Sequence, residues 1–551
     1  MKDYEESVAF LGQWGRFQQV VFFLLCSSIL PNGFTFSVVF LTDAPRHHCL
    51  VPEVNLTQDW HNASIPIEVV NGNQQLSRCS RFRLDVVRNL SAQGLVPGRD
   101  VNLTDLEQEG CVDGWSYSRD VYQSTIVSEF DLVCGEQWKQ PFTTTVFFLG
   151  VLVGSFFSGQ FSDRFGRKPV FFCTMALQTI FSFFQIFSTS WIVFTILGFI
   201  SGIGQISNYV SAFVLGNEIL TGNVRVLFSS LGVCLGYAFG YMMLPLLAYF
   251  FRGWKSLLLA ISLPGLLYIP LWWFIPESPR WLLSQGRVEE AENIVRKAAK
   301  WNKVDAPLVI FEDYGVHVDE TKTNPKEQHN VFNLVKTKNI RNTTVILCLL
   351  WFSFSIGYFG LSLNTSQLHA NPYISCFLSA AVEVPAYTSS WLALRYFPRR
   401  LSVVSTLLVG GLSLYFLQLV PESLSELAVA LEMLGKFAMT AGAALMYAYT
   451  AELYPTVLRN TATGTCSAVS KVGSSIAPFL SQLSGDFEYL PYVVMGTLAV
   501  VSAFAALFLP ETLGRPLPQT IQQMHKRQSL KCPFILRRGH SNPQVLLQSR
   551  L

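Results

Sequence analysis

Charge is what this 551-residue chain has least of. Asp, Glu, Lys and Arg make up 14% of it, where a soluble domain carries about a quarter. The net charge of only +3 supplies no basic surface for nucleic acid. No His/Cys group has metal-ligand spacing, and no nucleophile–base constellation is visible, which argues against an enzyme. No cleavable leader is expected either. The N-terminal "MKDYEESVAFLGQWGRF" is mixed in charge, and the run after it is too long for a signal peptide and lacks a small-residue cleavage site.

What fills the chain instead is apolar length. Half the residues are hydrophobic, and runs of about 18 or more read as membrane-spanning helices. Twelve are predicted, at 20–41, 142–161, 170–190, 193–215, 227–250, 257–275, 343–363, 373–394, 401–420, 425–450, 461–483 and 489–509. Short-loop cations set the orientation. Arg164, Arg167, Lys168, Arg225, Arg395, Arg399, Arg400 and Arg459 all fall on one side, so both termini are expected in the cytoplasm. Arg252 and Lys255 run against that rule. Loop 42–141 then lies outside. It carries four glycosylation sequons, at Asn55, Asn62, Asn89 and Asn102. Its four cysteines, Cys49, Cys79, Cys111 and Cys134, allow two disulfides in any of three pairings.

The chain repeats itself. "NEILTGNVR" places Glu218 seven residues before Arg225, and "AELYPTVLR" places Glu452 seven before Arg459. "PESPR" from Pro276 returns as "PETLG" from Pro510, and both shifts are 234 residues. "DRFGRK" at 163–168 has a weaker echo in "RYFPRR" at 395–400. The layout that follows is a cytoplasmic N-terminus 1–19, a six-helix bundle 20–275, a cytoplasmic linker 276–342, a second bundle 343–509 and a tail 510–551. Parallel six-helix halves with a pseudo-two-fold axis are the plan of the major facilitator fold, an all-α, 12-helix membrane architecture that alternates access by rocking its halves. Asp163, Arg164, Arg167, Glu218, Arg225, Glu277, Arg280, Glu452, Arg459 and Glu511 are the candidate gate charges. They are expected to pair where cytoplasmic helix ends meet and to break as the inner gate opens.

"GQFSDRFGRK", "NEILTGNVR", "PESPRWLLSQGR", "YTAELYPTVLRN" and "LPETLG", with the large cysteine-bearing outer loop, resemble the solute carrier 22 organic-ion transporters. "FLGQWGRFQ…ILPNGF", "GQISNYV" and "WWFIPESPRWL" are similar to its organic cation/carnitine branch. That resemblance implies a plasma-membrane carrier of carnitine-like zwitterions and organic cations with a co-transported sodium ion. No cofactor and no ATP are expected. Residues 216–223, "GNEILTGN", lack the lysine and hydroxyl of the phosphate-binding loop that close relatives mimic there, and no strand precedes them.

Lys471 is the most informative residue. It lies twelve residues beyond Arg459, or ~18 Å along a helix, near the middle of a hydrocarbon core ~30 Å thick. A lysine there costs at least ~2.5–3.5 kcal/mol and should face water or a partner. Glu383 and Glu432 are the possible partners, and Ser467, Ser474 and Ser475 share its face. In the resembling family the matching position carries arginine in carriers of anions and carnitine and aspartate in carriers of simple cations. Lysine keeps the sign but not the bidentate fork. Lys436, one turn after Glu432, is the second deep cation, and the spacing allows an ion pair between them.

A trimethylammonium group has no N–H, so aromatic faces would hold it. Tyr237, Trp351, Tyr358 and Tyr447 are the candidates, with Glu383 as an acidic alternative; Tyr449 points away from Tyr447. Gln205, Asn208 and Tyr209 share a helix face, and Asn32 in "LPNGF" sits where proline and glycine can open the first span and free oxygens for sodium. Residues 280–300 are expected to form one amphipathic helix, bracing the gate or lying on lipid headgroups. Residues 515–551 are expected to be disordered. The terminal "SRL" fits a PDZ-domain partner, and less well a peroxisomal address. The competing readings are a carrier of organic anions or another zwitterion such as a betaine, and a non-transporting ligand sensor on a transporter fold.

Overall fold

The computed structural model describes residues 4–70, 72–311, 331–367, 371–480, 482–483, 487–512, 514, 517–518 and 521–527. Each predicted run coincides with helical backbone, and several helices extend past the apolar stretch, as Lys139–Phe165 does for 142–161 and Trp191–Ile219 for 193–215, because the backbone stays hydrogen-bonded into the polar boundary; the run 489–509 is helical only over Leu490–Ala506. The first span is α1 (Arg16–Ser28), a 3-10 segment Leu30–Ser37 and a closing turn Val38–Leu41. Its interruption falls at the proline and glycine expected to open it. Then come α2 (Lys139–Phe165), α3 (Arg167–Phe184), α4 (Trp191–Ile219), α5 (Val233–Phe250) and α6 (Trp254–Tyr268). The later set is α9 (Lys338–Leu363), α10 (Pro372–Tyr396), α11 (Arg399–Phe416), α12 (Ser425–Leu453), α13 (Thr456–Leu480) and α14 (Leu490–Ala506). Among the described residues nine stretches are long and apolar enough to cross a membrane; α10, α13 and the shorter α14 complete the predicted twelve.

The linker corrects one expectation. Residues 280–300 form two helices, α7 (Pro279–Ser284) and α8 (Val288–Asn302), separated by a turn at Gln285–Arg287. Their apolar stripe is covered by protein: Trp281, Leu282, Ala291, Val295 and Ala298 pack with Tyr4, Val8 and Leu11 of the N-terminal segment. In the tail, residues 521–527 form a short helix with Met524 buried. The remainder of the tail, with "SRL", lies outside the described residues.

In the loop 42–141 three antiparallel ladders pair β1 (His47–Cys49) with β6 (Trp115–Tyr117), β2 (Ile67–Val70) with β3 (Asn73–Leu76), and β4 (Ser80–Phe82) with β5 (Gln108–Gly110). Disulfides Cys49–Cys111 and Cys79–Cys134 select one of the three possible pairings. Buried Arg81 ties β4 to Glu109 at 3.0 Å and to Asp113 at 2.8 Å. Asn55, Asn62, Asn89 and Asn102 are all exposed, and the Asn102 side chain accepts from the hydroxyl of Thr104 in its own sequon at 2.9 Å. With little apolar core of its own, this loop depends on its bridges. Replacing Cys79 and Cys134 by serine is expected to remove about 2–5 kcal/mol, read as loss of surface-expressed protein on a western blot after surface biotinylation.

Two compact units result. One comprises Met1–Pro325, Phe359–Pro385 and Lys471–Pro491; the other comprises Lys326–Tyr358, Ala386–Ser470 and Tyr492–Leu551. The boundary does not follow the sequence repeat, since parts of α9, α10 and α13 belong with the first repeat.

Candidate transport site

The repeated motifs build the same polar knot twice. In the first unit, Arg167 pairs with Asp163 at 2.7 Å and with Glu218 at 2.9 Å, and the Ser278 hydroxyl donates to Glu218. Glu277 accepts from the backbone N–H of Arg167 (3.1 Å), Lys168 (3.3 Å) and Ser278 (2.9 Å). It therefore places a carboxylate on the otherwise unsatisfied N–H groups that open α3. Gly166, with φ +103°, makes room for it: a Cβ there would lie 2.7 Å from Glu277 Oε2. Burial pushes the Glu277 carboxyl above the usual carboxylate range, while the three N–H donors oppose that rise.

In the second unit, Glu511 accepts from the N–H of Arg399 (2.9 Å), Arg400 (3.1 Å) and Thr512 (3.0 Å). Arg399 Nε pairs with Glu452 at 3.3 Å, and the Thr512 hydroxyl donates to Glu452. Glu277 and Glu511 thus occupy equivalent places, as do Glu218 and Glu452. The seven-residue Glu/Arg spacing is not itself an ion pair. Arg225 Nε donates to Leu220 O at 3.0 Å, and Arg459 donates to Ala451 O at 2.8 Å and Tyr454 O at 3.5 Å. Arg164 stays outside the knot, exposed over the Phe165 ring at 5.4 Å. Asp163, Arg167, Glu218 and Glu277 thus meet in the first unit, and Arg399, Glu452 and Glu511 in the second, at helix ends as the spacing led one to expect. Glu511→Ala would strand three N–H donors and is expected to cost about 1–3 kcal/mol, visible as a lower melting temperature in detergent.

The two deep lysines differ. Lys471 is half-buried, and among the described residues its ammonium has neither an ion pair nor a hydrogen bond. Only its carbonyl is engaged, by Ser474 (2.7 Å) and Ser475 (3.0 Å). Those hydroxyls are thus spent on backbone, and both serines are buried. Ser467, one turn earlier on α13, is half-buried and accepts Ser470 at its carbonyl. Lys436 is fully enclosed, with its ammonium 3.7 Å from the centroid of the Tyr358 ring. The Glu432–Lys436 pair that the spacing allowed is not formed; Glu432 accepts from the Tyr492 hydroxyl at 3.2 Å. Helical periodicity within α12 could not reveal Tyr492, which comes from α14. Trp351 donates to Thr450 Oγ1 at 2.9 Å and meets Tyr447 edge-on at 4.6 Å. Tyr447 is exposed, whereas Tyr449 is buried and donates to Pro510 O.

In the first unit the opened span meets α4. Gln205 donates to Asn32 O at 2.8 Å and to the Thr35 hydroxyl, Asn32 donates to Asn208 at 3.4 Å, and Asn208 donates to Phe171 O at 3.1 Å. Tyr209 and Tyr237 are half-buried against the adjoining apolar core. Asn32 Oδ1 is buried without a hydrogen-bond partner. Glu383 is fully buried, within electrostatic reach of Tyr241 and Cys234.

Toward the 42–141 loop, the repeats are sealed together inside this unit. Phe359 packs on Phe148 at 5.0 Å and Phe36 at 5.8 Å, and Tyr241 donates to Ser379 at 3.4 Å. Thr145 donates to Ser475 O at 2.9 Å. Tyr373 donates to Val121 O at 2.8 Å and stacks on Phe40. No periodic signal marks Phe36, Phe359 or Tyr373, since each acts through a partner far along the chain.

Comparison with known proteins fits this architecture. A family described as "sugar (and other) transporter" matches residues 112–524. The rat organic cation/carnitine transporter 2 is 54% identical, over 96% of this chain and 95% of its own. Mouse solute carrier family 22 member 4 is 53% identical, over 97% and 96%. This chain belongs to the solute carrier 22 family. Among solved structures, the inward-open xylose transporter XylE from E. coli is similar in fold, with a TM-score of 0.57, 17% identity and coverage of 92% of this chain and 99% of that one. The solute carrier 22 chain is therefore a membrane transporter of the major facilitator fold.

Proposed function

We propose that the protein is a plasma-membrane carrier of carnitine-like zwitterions and organic cations, working by alternating access with sodium coupling. Its relatives named as organic cation/carnitine transporters, more than half identical over nearly the whole chain, support the substrate class. The observation that carries the reading is Lys471. A mid-span ammonium with no counter-ion among the described residues attracts a substrate carboxylate and repels a simple monovalent cation. Tyr209 and Tyr237, in the same compact unit, retain exposed aromatic surface for a quaternary ammonium. Asn32 Oδ1 and the neighbouring oxygens of the opened span are the candidate sodium ligands. Tyr358 already receives one cation, Lys436, so its face serves substrate only if that lysine swings away. The seal toward the 42–141 loop supports a cycle in which Phe359 and Tyr373 part as the outer end opens. Asp163, Arg167, Glu218, Arg225, Glu277, Arg280, Glu452, Arg459 and Glu511 hold each repeat rigid while it rocks. Both termini, the linker and a PDZ-binding tail would face the cytoplasm.

Reconstituted vesicles given carnitine, tetraethylammonium and an organic anion, each with and without sodium, test this directly. Sodium-stimulated carnitine uptake is expected. Preference for the organic anion would favour the anion-carrier reading, and ligand binding without uptake would favour a sensor.

A further inference from the structure

The two knots do not carry the same charges position for position. The 234-residue shift maps Arg225 onto Arg459 but Arg280 onto Gly514, so Arg280 has no arginine at the matching place in the second repeat. Arg459 spends its guanidinium on carbonyls and has no carboxylate among the described residues. Arg225 and Arg280 share one. Glu5 Oε1 lies 2.6 Å from Arg225 Nη1 and 3.2 Å from Arg280 Nη2. That carboxylate comes from outside the repeat, on the short N-terminal helix Tyr4–Ser7.

The segment around Glu5 is seated by independent contacts. The Arg280 guanidinium stacks over the Tyr4 ring at 4.9 Å, and that ring lies parallel to Phe311 at 6.1 Å. Asn302, the last residue of α8, reaches the same place from the other side. Its Nδ2 donates to Leu11 O at 3.2 Å and to Gln18 Oε1 at 2.9 Å, and its Oδ1 accepts from Phe17 N at 2.9 Å, satisfying an N–H that opens α1. Removing the Glu5 charge would leave two guanidiniums facing one acceptor position, with Arg225 Nη2 and Arg280 Nε already buried and unpartnered.

We propose that Glu5 is a positioning residue for transport: it makes the N-terminal segment a clasp that joins Arg280 of α7, and with it α8, to Arg225 of the first bundle, so that linker and bundle move as one body. This rests on the transport reading above. Charge-assisted bonds of this kind, shared by two arginines, are the strong class of hydrogen bond, and in transport the conformational step sets the turnover.

Glu5→Gln, Glu5→Asp and the swap Glu5→Arg with Arg280→Glu test it in the full-length protein, with uptake normalised to surface amount. Glu5→Gln should lower maximal carnitine uptake about five- to ten-fold with KM within two-fold of wild type. Glu5→Asp should keep at least half the rate, and the swap should recover part of it. Wild-type maximal uptake in Glu5→Gln, or a loss explained wholly by surface amount, overturns the proposal. Hydrogen exchange on the purified protein gives an arm independent of transport. Faster exchange across Tyr4–Leu11 and Pro279–Ser284 in Glu5→Gln supports the clasp, and unchanged exchange overturns it. Should the wild type take up no substrate, the transport reading fails while this arm still decides the clasp.

Discussion

Lys471→Asp is expected to lower uptake of carboxylate-bearing substrates by about 100-fold or more in kcat/KM. Reversing one partner of a buried charge pair costs at least as much as truncating it, roughly 2–5 kcal/mol, and each 1.4 kcal/mol is about tenfold. The size follows from the position: the ammonium is half-buried at mid-span, where no other side chain neutralises it among the described residues. The same reversal should admit simple cations, because the repulsive element has become attractive. Lys471→Arg keeps the sign and adds a fork that fits a carboxylate, so it should hold KM at or below that of wild type. Radiolabelled carnitine and tetraethylammonium uptake by the three proteins checks both directions. Unchanged carnitine uptake in Lys471→Asp would remove the carboxylate assignment.

Gly240→Val is expected to abolish surface expression. A Cβ at Gly240 would lie 2.1 Å from Leu30 O and 2.9 Å from Leu30 C. The obstacle is backbone at the start of the 3-10 segment, so no rotamer change relieves it. Small residues at such crossings let membrane helices approach closely, and forcing them apart costs about 1–3 kcal/mol or more. Here the displaced segment also carries Asn32, whose links to Asn208 and Gln205 would be broken. Surface biotinylation reads the outcome; Gly240→Val at wild-type surface level with normal uptake would contradict this packing.

Much of the fold was legible because a bilayer enforces it. Unsatisfied backbone cannot face lipid, so each apolar run had to be a helix, and the 234-residue shift already implied two like halves. The pairing inside the knots was not legible. Glu218 and Arg225 are neighbours in sequence, yet Glu218 bonds Arg167 and Ser278 from other helices, and Arg225 turns to Glu5. Sequence spacing speaks for contacts within a helix and is silent about those between helices. The same limit explains Lys436, for which spacing allowed a pair with Glu432 and which lies over Tyr358. Gln205 and Asn208 were legible because polar side chains inside an apolar helix must find partners. The disulfide pairing was open in principle and closed only by the folded loop.

The most direct test of the central claim is solvent and substrate access at one position. Ser467→Cys, one turn before Lys471 on α13 and with that lysine kept, is to be labelled in purified reconstituted protein with a charged methanethiosulfonate reagent in the presence of carnitine or choline, against the wild type. The account predicts labelling that carnitine, held through its carboxylate by Lys471, slows and that choline, which lacks the carboxylate, leaves unchanged. A thiol at this position that no charged reagent reaches, or that carnitine and choline protect equally, would contradict it.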